Sequence, residues 1–295
     1  MSNNAVYELV TQRVVSLLES GVIPWRKPWI TAELDGNNIP RNAVSKRRYR
    51  GINSFLLGLS PYADPRWLTF KQAKELGGFV KSGEKASPVV FWKWLEIEDE
   101  ETGEKKDIPF LRYYSVFNVE QTEGCKVAEL PKVEKPCLAS RLEAAENVVS
   151  GMPNAPAIYH DGGSAAYYRP SNDTVHMPEL EYFLSTEGYY STLFHELGHS
   201  TGHETRLNRP GITELASFGS EKYSKEELVA EFTAAFLTNH CGIDNHIPQN
   251  AAYIDSWLSA LKKDVKMAVI AAAQAQKAAD YILGAAYEEE VGEAA

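Results

Sequence analysis

Apolar positions at helical spacing open the chain. Residues 3–20 place Val6, Leu9, Val10, Val14, Leu17 and Leu18 on one stripe, and Gly21 ends it. The stretch from "IPWRKPWI" through "NAVSKRRYRGINSFLLGLS" has no sustained period and reads as irregular. A second helix is expected from Thr69 to Gly77-Gly78. "SPVVFWKWLEIE" and "PFLRYYSVFNVEQ" alternate as strands and are expected to pair through the acidic tip "DEETGEKK". Residues 122–136 carry prolines and mixed charge with little periodicity, which reads as a linker. Beyond it a helix is expected near 138–150, then the strand "PAIYHD". "AAYYRPSNDTVHMP" reads as a hairpin turning at Ser171-Asn172-Asp173. Helical patterns follow over 188–201, 225–240, 251–262 and 265–286. The last is alanine-rich, a strong intrinsic helix former expected to pack on the surface of its domain. The sum is an α+β chain of two domains: an α+β unit over 1–121, a linker over 122–137, and a mostly helical unit with a small sheet over 138–295.

Charge sharpens that division. The net charge of −10 hides +7 over residues 1–95 (14 Lys+Arg against 7 Asp+Glu) and −17 over the rest (16 against 33). Five of six tryptophans, Trp25, Trp29, Trp67, Trp92 and Trp94, lie in the basic part. A basic, aromatic front joined to an acidic back implies different partners for the two. No run of about 18 apolar residues is present, so no membrane span is expected. The N-terminus has no secretory-signal pattern. Cys125, Cys137 and Cys241 are odd in number and not in C-x-x-C spacing, which fits a reducing, cytoplasmic setting.

The stretch "STLFHELGHSTGH" carries the chemistry. On a helix, His195 and His199 project from one face a turn apart and can converge on one ion, and neutral imidazole suits Zn²⁺. Glu196 points toward the open coordination position, where a carboxylate can take a proton from water and return it to a leaving group. This is the H-E-x-x-H logic of zinc peptidases. Two satisfied histidines on a core helix are the plain alternative.

A third ligand is expected from "SKEELVAEFTAAFL", a helix that Ser224 can cap. Glu227 and Glu231 share a face. Glu227 is taken as the ligand and Glu231 as the carboxylate that braces a ligating histidine; the reverse assignment stays open. His203, four residues after His199, competes as a ligand, but Gly202 is expected to end the helix before it. Two histidines, one glutamate and a water form an open, catalytic-type set, and Mn²⁺ or another divalent ion fits the same ligands as Zn²⁺. The hairpin at 165–178 can offer an edge strand to a peptide, with Tyr167, Tyr168 and His176 as stabilising groups or as ordinary strand residues.

Single-stranded nucleic acid is bound by cations along phosphates and aromatic faces against bases. "PWRKPW" offers Trp25, Arg26, Lys27 and Trp29; "SKRRYRG" offers Lys46, Arg47, Arg48, Tyr49 and Arg50. Arg66, Trp67, Lys71, Lys74, Lys81 and Lys85 extend the set. The plain alternative buries the tryptophans and leaves the cations solvated.

The succession "PWRKPW", "YRGIN", "WLTFKQAKELGGFVKSGEK", "VVFWKW", "YYSVFNVEQ", "FHELGHSTGH" and "EELVAEF" resembles the ArdC family of antirestriction proteins of conjugative plasmids over nearly the whole chain. The resemblance implies a front domain similar to the single-stranded-DNA-binding region of plasmid primases and a zincin-like metallopeptidase back domain. It implies protection of incoming plasmid DNA from host restriction. Ser200 departs from the pattern, since an aromatic often follows the second histidine there. Two functions follow from different classes: a peptidase that cleaves a DNA-associated protein, or a DNA-coating protein whose metal domain is structural or idle. A metal-dependent nuclease is a weaker third, because such enzymes favour carboxylate-rich two-metal sites.

Overall fold

The structure, a computed structural model, describes residues 3–19, 23, 39–58, 60, 62, 64–98, 105–129, 138–161, 165–214, 221–243 and 251–285. For 3–4, 92–98, 105–111, 138–141, 221, 251–253 and 256 it describes the backbone alone. The front part runs α1 (Asn3–Glu19), β1 (Arg41–Asn42), α2 (Gly51–Gly58), β2 (Arg66–Thr69), α3 (Phe70–Glu75), β3 (Phe79–Val80), β4 (Ser87–Glu98), β5 (Lys105–Asn118) and β6 (Thr122–Glu123). The back part runs α4 (Leu138–Gly151), β7 (Ala157–His160), β8 (Tyr167–Arg169), β9 (Thr174–Met177), α5 (Thr186–Ser200), α6 (Pro210–Thr213), α7 (Glu221–Cys241), α8 (Ala251–Lys263) and α9 (Met267–Ile282). The fold is α+β with two domains, the second mostly helical with a small sheet, as the hydrophobic pattern predicts.

The long alternating strands β4 and β5 pair antiparallel from Ser87↔Val116 to Glu98↔Lys105. They form half of a sheet ordered β1-β2-β5-β4. Trp67, Val89 and Val116 pack under this sheet against Leu57 of α2. Thr69 starts α3 with a capping box, its hydroxyl accepting from Gln72 N while the Gln72 side chain accepts from Thr69 N. The helix α2 lies inside a stretch read as irregular. Eight residues flanked by glycines are too short to show a helical period, and burial of Ile52, Phe55 and Leu56 holds the helix in place. Residues 122–129 also differ from a free linker. β6 pairs with β3, and Lys126 N donates to Leu76 O at 2.9 Å.

In the back part β9 is central, parallel to β7 and antiparallel to β8, so β7 and β8 are the two edges of the sheet. The turn before β9 is closed by Asp173 at φ 52. Metal-helix candidate α5 packs on α7, and α7 packs in turn on α9. The surface position expected for the alanine-rich helix is incorrect. Ala268, Ala271, Ala272, Ala275, Ala278 and Ala279 of α9 are all essentially inaccessible. Alanine has a high helix propensity and a minimal side chain, so such a helix serves equally at a surface or where several helices approach closely. Here the second holds. One core joins Val10, Val14 and Leu18 of α1 and Phe55 of α2 to Leu228 and Phe232 of α7, Trp257 of α8 and Ala271 of α9. Gly51 N donates to the Gln276 side chain at 2.9 Å, and Arg50 pairs with Asp280. Helix α1 thus packs on α8 and α9, and α2 packs on α9 and, through Phe55 against Phe232 with ring centroids 4.8 Å apart, on the site helix α7.

Candidate metal centre and nucleic-acid face

Ser185 caps α5, accepting from Gly188 N at 3.0 Å, and the helix carries both histidines of the motif. Gly198 lets α7 approach: a β-carbon there would stand 3.2 Å from Ala230 Cα and Thr233 Cβ. The His195 and His199 rings meet edge to face, with Nε2 atoms 3.1 Å apart. From α7, Glu227 brings Oε2 to 3.6 Å of His195 Nε2 and Oε1 to 3.6 Å of His199 Nε2. One ligand atom from each of the three lies within 4.8 Å of the others. Two ligand atoms bonded to one tetrahedral ion at about 2.0–2.1 Å stand roughly 3.3–3.4 Å apart. The 3.1 Å between the imidazoles and the 3.6 Å from each to its own Glu227 oxygen lie on either side of that value, and two imidazoles with a carboxylate suit a divalent ion. The residues fit a metal.

Behind the rings the arrangement continues. Both Nδ1 atoms are buried with no hydrogen-bond partner. Glu231 Oε1 faces His195 Nδ1 at 3.8 Å, and Glu226 Oε1 faces His199 Nδ1 at 3.5 Å. Burial works to lower the His195 pKa, but the Glu227, Glu196 and Glu231 carboxylates outweigh it and raise it to about 9. Burial works to raise Glu227, but its contacts with His195, His199 and the Tyr223 hydroxyl hold it at about 2. Glu196 is buried, and its charge reaches His195.

Several sequence expectations are revised around this cluster. Ser224 does not cap α7, because the helix begins at Glu221 and takes Ser224 inside as a buried residue. In the sequence Glu226 is marked only by its place next to Glu227. Adjacent glutamates point about 100° apart on a helix, and only the crossing with α5 decides which face meets the histidines. His203 falls outside the cluster, its Nδ1 2.9 Å from Thr205 Oγ1. Ser200 fits its position, fully buried with Oγ donating to Leu197 O at 2.8 Å.

The candidate stabilisers belong to the sheet's own network. The Tyr168 hydroxyl donates to Asp173 at 2.8 Å, and burial together with that carboxylate pushes its pKa up. His176 lies between the rings of Tyr167 and Tyr159, with Nδ1 2.6 Å from Asp161.

On the front face, Trp25, Arg26, Lys27 and Trp29 lie outside the described residues. Trp67 is 1% exposed and cannot stack on a base; it is core, because β2 sits inside the sheet. Arg66 is likewise removed from a nucleic-acid role. Its guanidinium is buried on Asp64, with Nη2 2.7 Å from Oδ2, and also donates to Ala128 O at 2.5 Å. Tyr49 packs beside Trp67, and Arg50 pairs with Asp280 on α9. Lys46, Arg47, Arg48, Lys71, Lys81 and Lys85 are exposed. Among the described residues of the front part, the exposed aromatics are Phe70 (50% exposed), Phe79 (53%) and Tyr114 (38%), with Lys74 Nζ 5.2 Å from the Phe70 ring centre. They escaped sequence reading because an aromatic in an alternating strand or at a helix start reads as core.

Two family models match the chain one after the other. Residues 4–117 match the family model described as the N-terminal domain of anti-restriction factor ArdC, and residues 143–275 match one described as a zincin-like metallopeptidase. Over 94% of its length the chain is 39% identical to a DNA primase TraC of Escherichia coli, of which it spans 27%. It is 36% identical to the uncharacterized protein y4eC of Sinorhizobium fredii (strain NBRC 101917 / NGR234), covering 91% of that protein and 94% of itself. Two crystal structures of the antirestriction ArdC protein from the R388 plasmid superpose on 94% of the chain. The metal-free form has a TM-score of 0.73 at 39% identity with 96% of that chain covered. The Mn(II)-bound form has 0.72 at 37% with 97% covered.

Proposed function

This chain belongs to the ArdC family of anti-restriction factors, and from that premise we propose that it binds single-stranded DNA through residues 1–121 and holds a divalent-metal peptidase site in residues 138–295. Its role is then to shield incoming plasmid DNA from restriction. The observation that carries the metal half is the convergence of His195 Nε2, His199 Nε2 and a Glu227 carboxylate oxygen within 4.8 Å. Three protein ligands with a free fourth position are the set of catalytic rather than structural sites. When bound, a divalent ion there supplies Lewis acidity, polarising a carbonyl and making water acidic enough to lose a proton near neutral pH. Zn²⁺ fits the donor set, and the Mn(II)-bound ArdC relative supports a divalent ion of either kind.

The remaining work falls to side chains. Glu196, buried beside His195, takes the proton of the attacking water and delivers it to the leaving amine. Glu231 stands behind His195, its carboxylate 3.8 Å from Nδ1, where its charge favours an N–H on that nitrogen and so leaves Nε2 for the ion. The edge strand β8 offers backbone groups to an extended peptide from a DNA-associated protein. For the strand of DNA, exposed Arg47, Arg48, Lys71, Lys81 and Lys85 suit phosphates, and Phe70, Phe79 and Tyr114 offer faces to bases. No described helix is long and apolar enough to cross a membrane. The free Cys125 and Cys241 suit a reducing cytoplasm.

Metal content of the purified protein, with titrations of single- and double-stranded DNA, tests both halves. About one equivalent of divalent ion and a preference for single strands are expected. Glu196→Gln should keep the ion and lose peptide hydrolysis. If that variant protects DNA undiminished in cells, protection is by coating and not by cleavage.

A further inference from the structure

We infer that Arg209 and Glu226 form a positioning pair for His199, fixing the imidazole tautomer that leaves Nε2 free to ligate; this rests on His195, His199 and Glu227 being a metal site. Arg209 stands in the connection between α5 and α6 and is 5% exposed. Its Nε donates to Glu226 Oε2 at 3.0 Å and its Nη2 to Oε1 at 2.5 Å. The same guanidinium donates to Gly198 O of α5 at 2.8 Å and to Oγ1 of Thr201, the residue that ends that helix, at 2.6 Å, on either side of His199 in the chain. One buried cation therefore ties the end of the histidine helix to the start of the carboxylate helix. The short helix α6 is shaped around the pair, since a β-carbon on Gly211 would come within 2.9 Å of the Glu226 side chain.

The chemistry follows from donors and acceptors. A guanidinium only donates, so the carboxylate it grips stays ionised and only accepts. That carboxylate is the group opposite His199 Nδ1, 3.5 Å away, and this buried Nδ1 has no other partner. An N–H at Nδ1 satisfies both. A proton on Nε2 would leave a lone pair facing a carboxylate and put an N–H into the cluster, 3.1 Å from His195 Nε2. The sequence hides the pair, because Arg209 precedes Pro210 in a loop and lies 17 residues from Glu226. A lone loop arginine reads as solvated.

Nitrogen-15 NMR of the metal-free protein at about pH 10, above the value of about 9 to which its carboxylate neighbours raise His195, so that no imidazolium N–H faces His199 Nε2, should report His199 protonated on Nδ1. Glu226→Gln is isosteric but must turn an N–H toward either Arg209 or His199. It should mix the tautomers and weaken binding of Zn²⁺ or Mn²⁺, titrated against a chelator, by about 10–100-fold. Arg209→Lys keeps a cation beside the carboxylate and should retain the Nδ1–H tautomer with a smaller loss. Wild-type His199 protonated on Nε2, or a Glu226→Gln variant unchanged in both measurements, would overturn the pairing. Should Glu226→Gln fail to fold in a thermal melt, the wild-type tautomer decides. Failure of the wild type to bind any divalent ion sinks the metal reading, while the tautomer still tests this contact.

Discussion

Gly198 of α5 lies so close to Ala230 of α7 that a β-carbon would stand 3.2 Å from the alanine's Cα. That contact sets the distance between the helix bearing His195 and His199 and the helix bearing Glu227. Gly198→Ala gains about 1 kcal/mol in helix propensity. It also forces two helix backbones apart, an overpacking that costs about 1–3 kcal/mol. Net destabilisation in urea and weaker metal binding are expected, both larger for Gly198→Val. A stabilised Gly198→Ala protein with full metal affinity would show that the crossing is not tight.

Glu227 and Glu231 should separate by their effects on metal. Glu227 reaches the Nε2 atoms, whereas Glu231 stands behind His195. Glu227→Gln should abolish tight binding, and Glu231→Gln should weaken it by about 10–100-fold. The reverse order in a chelator competition would exchange their roles.

Proton linkage follows from the site's charges. His195, raised to about 9 from 6.5, stabilises the metal-free fold fully below 6.5 and loses that contribution as pH rises toward 9. Glu227, lowered to about 2 from 4.5, contributes fully above 4.5 and loses it as pH falls toward 2. The two together favour the metal-free fold most between 4.5 and 6.5. Ligation requires neutral imidazole, so ion binding at about pH 7.5 should release close to one proton. Calorimetry in buffers of different ionisation enthalpy reads this directly; an enthalpy independent of buffer would mean His195 is already neutral.

For the nucleic-acid face, Arg47 and Arg48 are exposed, whereas Arg50 is paired with Asp280. Replacing Arg47 and Arg48 by Ala should lower the slope of log affinity against log salt for single strands, by about 0.7 for each phosphate no longer neutralised. Arg50→Ala should instead lower the unfolding midpoint, through the junction of α2 with α9. A salt slope untouched by the first pair removes it from the interface.

Local spacing made much of this protein legible. His195 and His199 are ligand candidates at sight, because four residues on a helix is one turn, and the alternation of β4 and β5 with an acidic tip leaves one sensible pairing. The first helix was legible too, as a stripe, but not its destination. An apolar stripe says that a face is covered and never by what, and α1 turned out to lie on α8, α9 and β5.

The chain alone therefore determined the elements whose period is long enough to see and the presence of a histidine pair beside an acid. Tertiary structure decided everything that depends on which surfaces meet. It buried Trp67 and Arg66, which composition offered to DNA, and drew alanine-rich α9 to the centre. It turned Glu226 toward His199 and Arg209 toward Glu226, from segments that share no local pattern with the histidine. Residues within one turn are related by fixed backbone geometry, whereas residues on different elements are related only by packing, which a one-dimensional period does not encode.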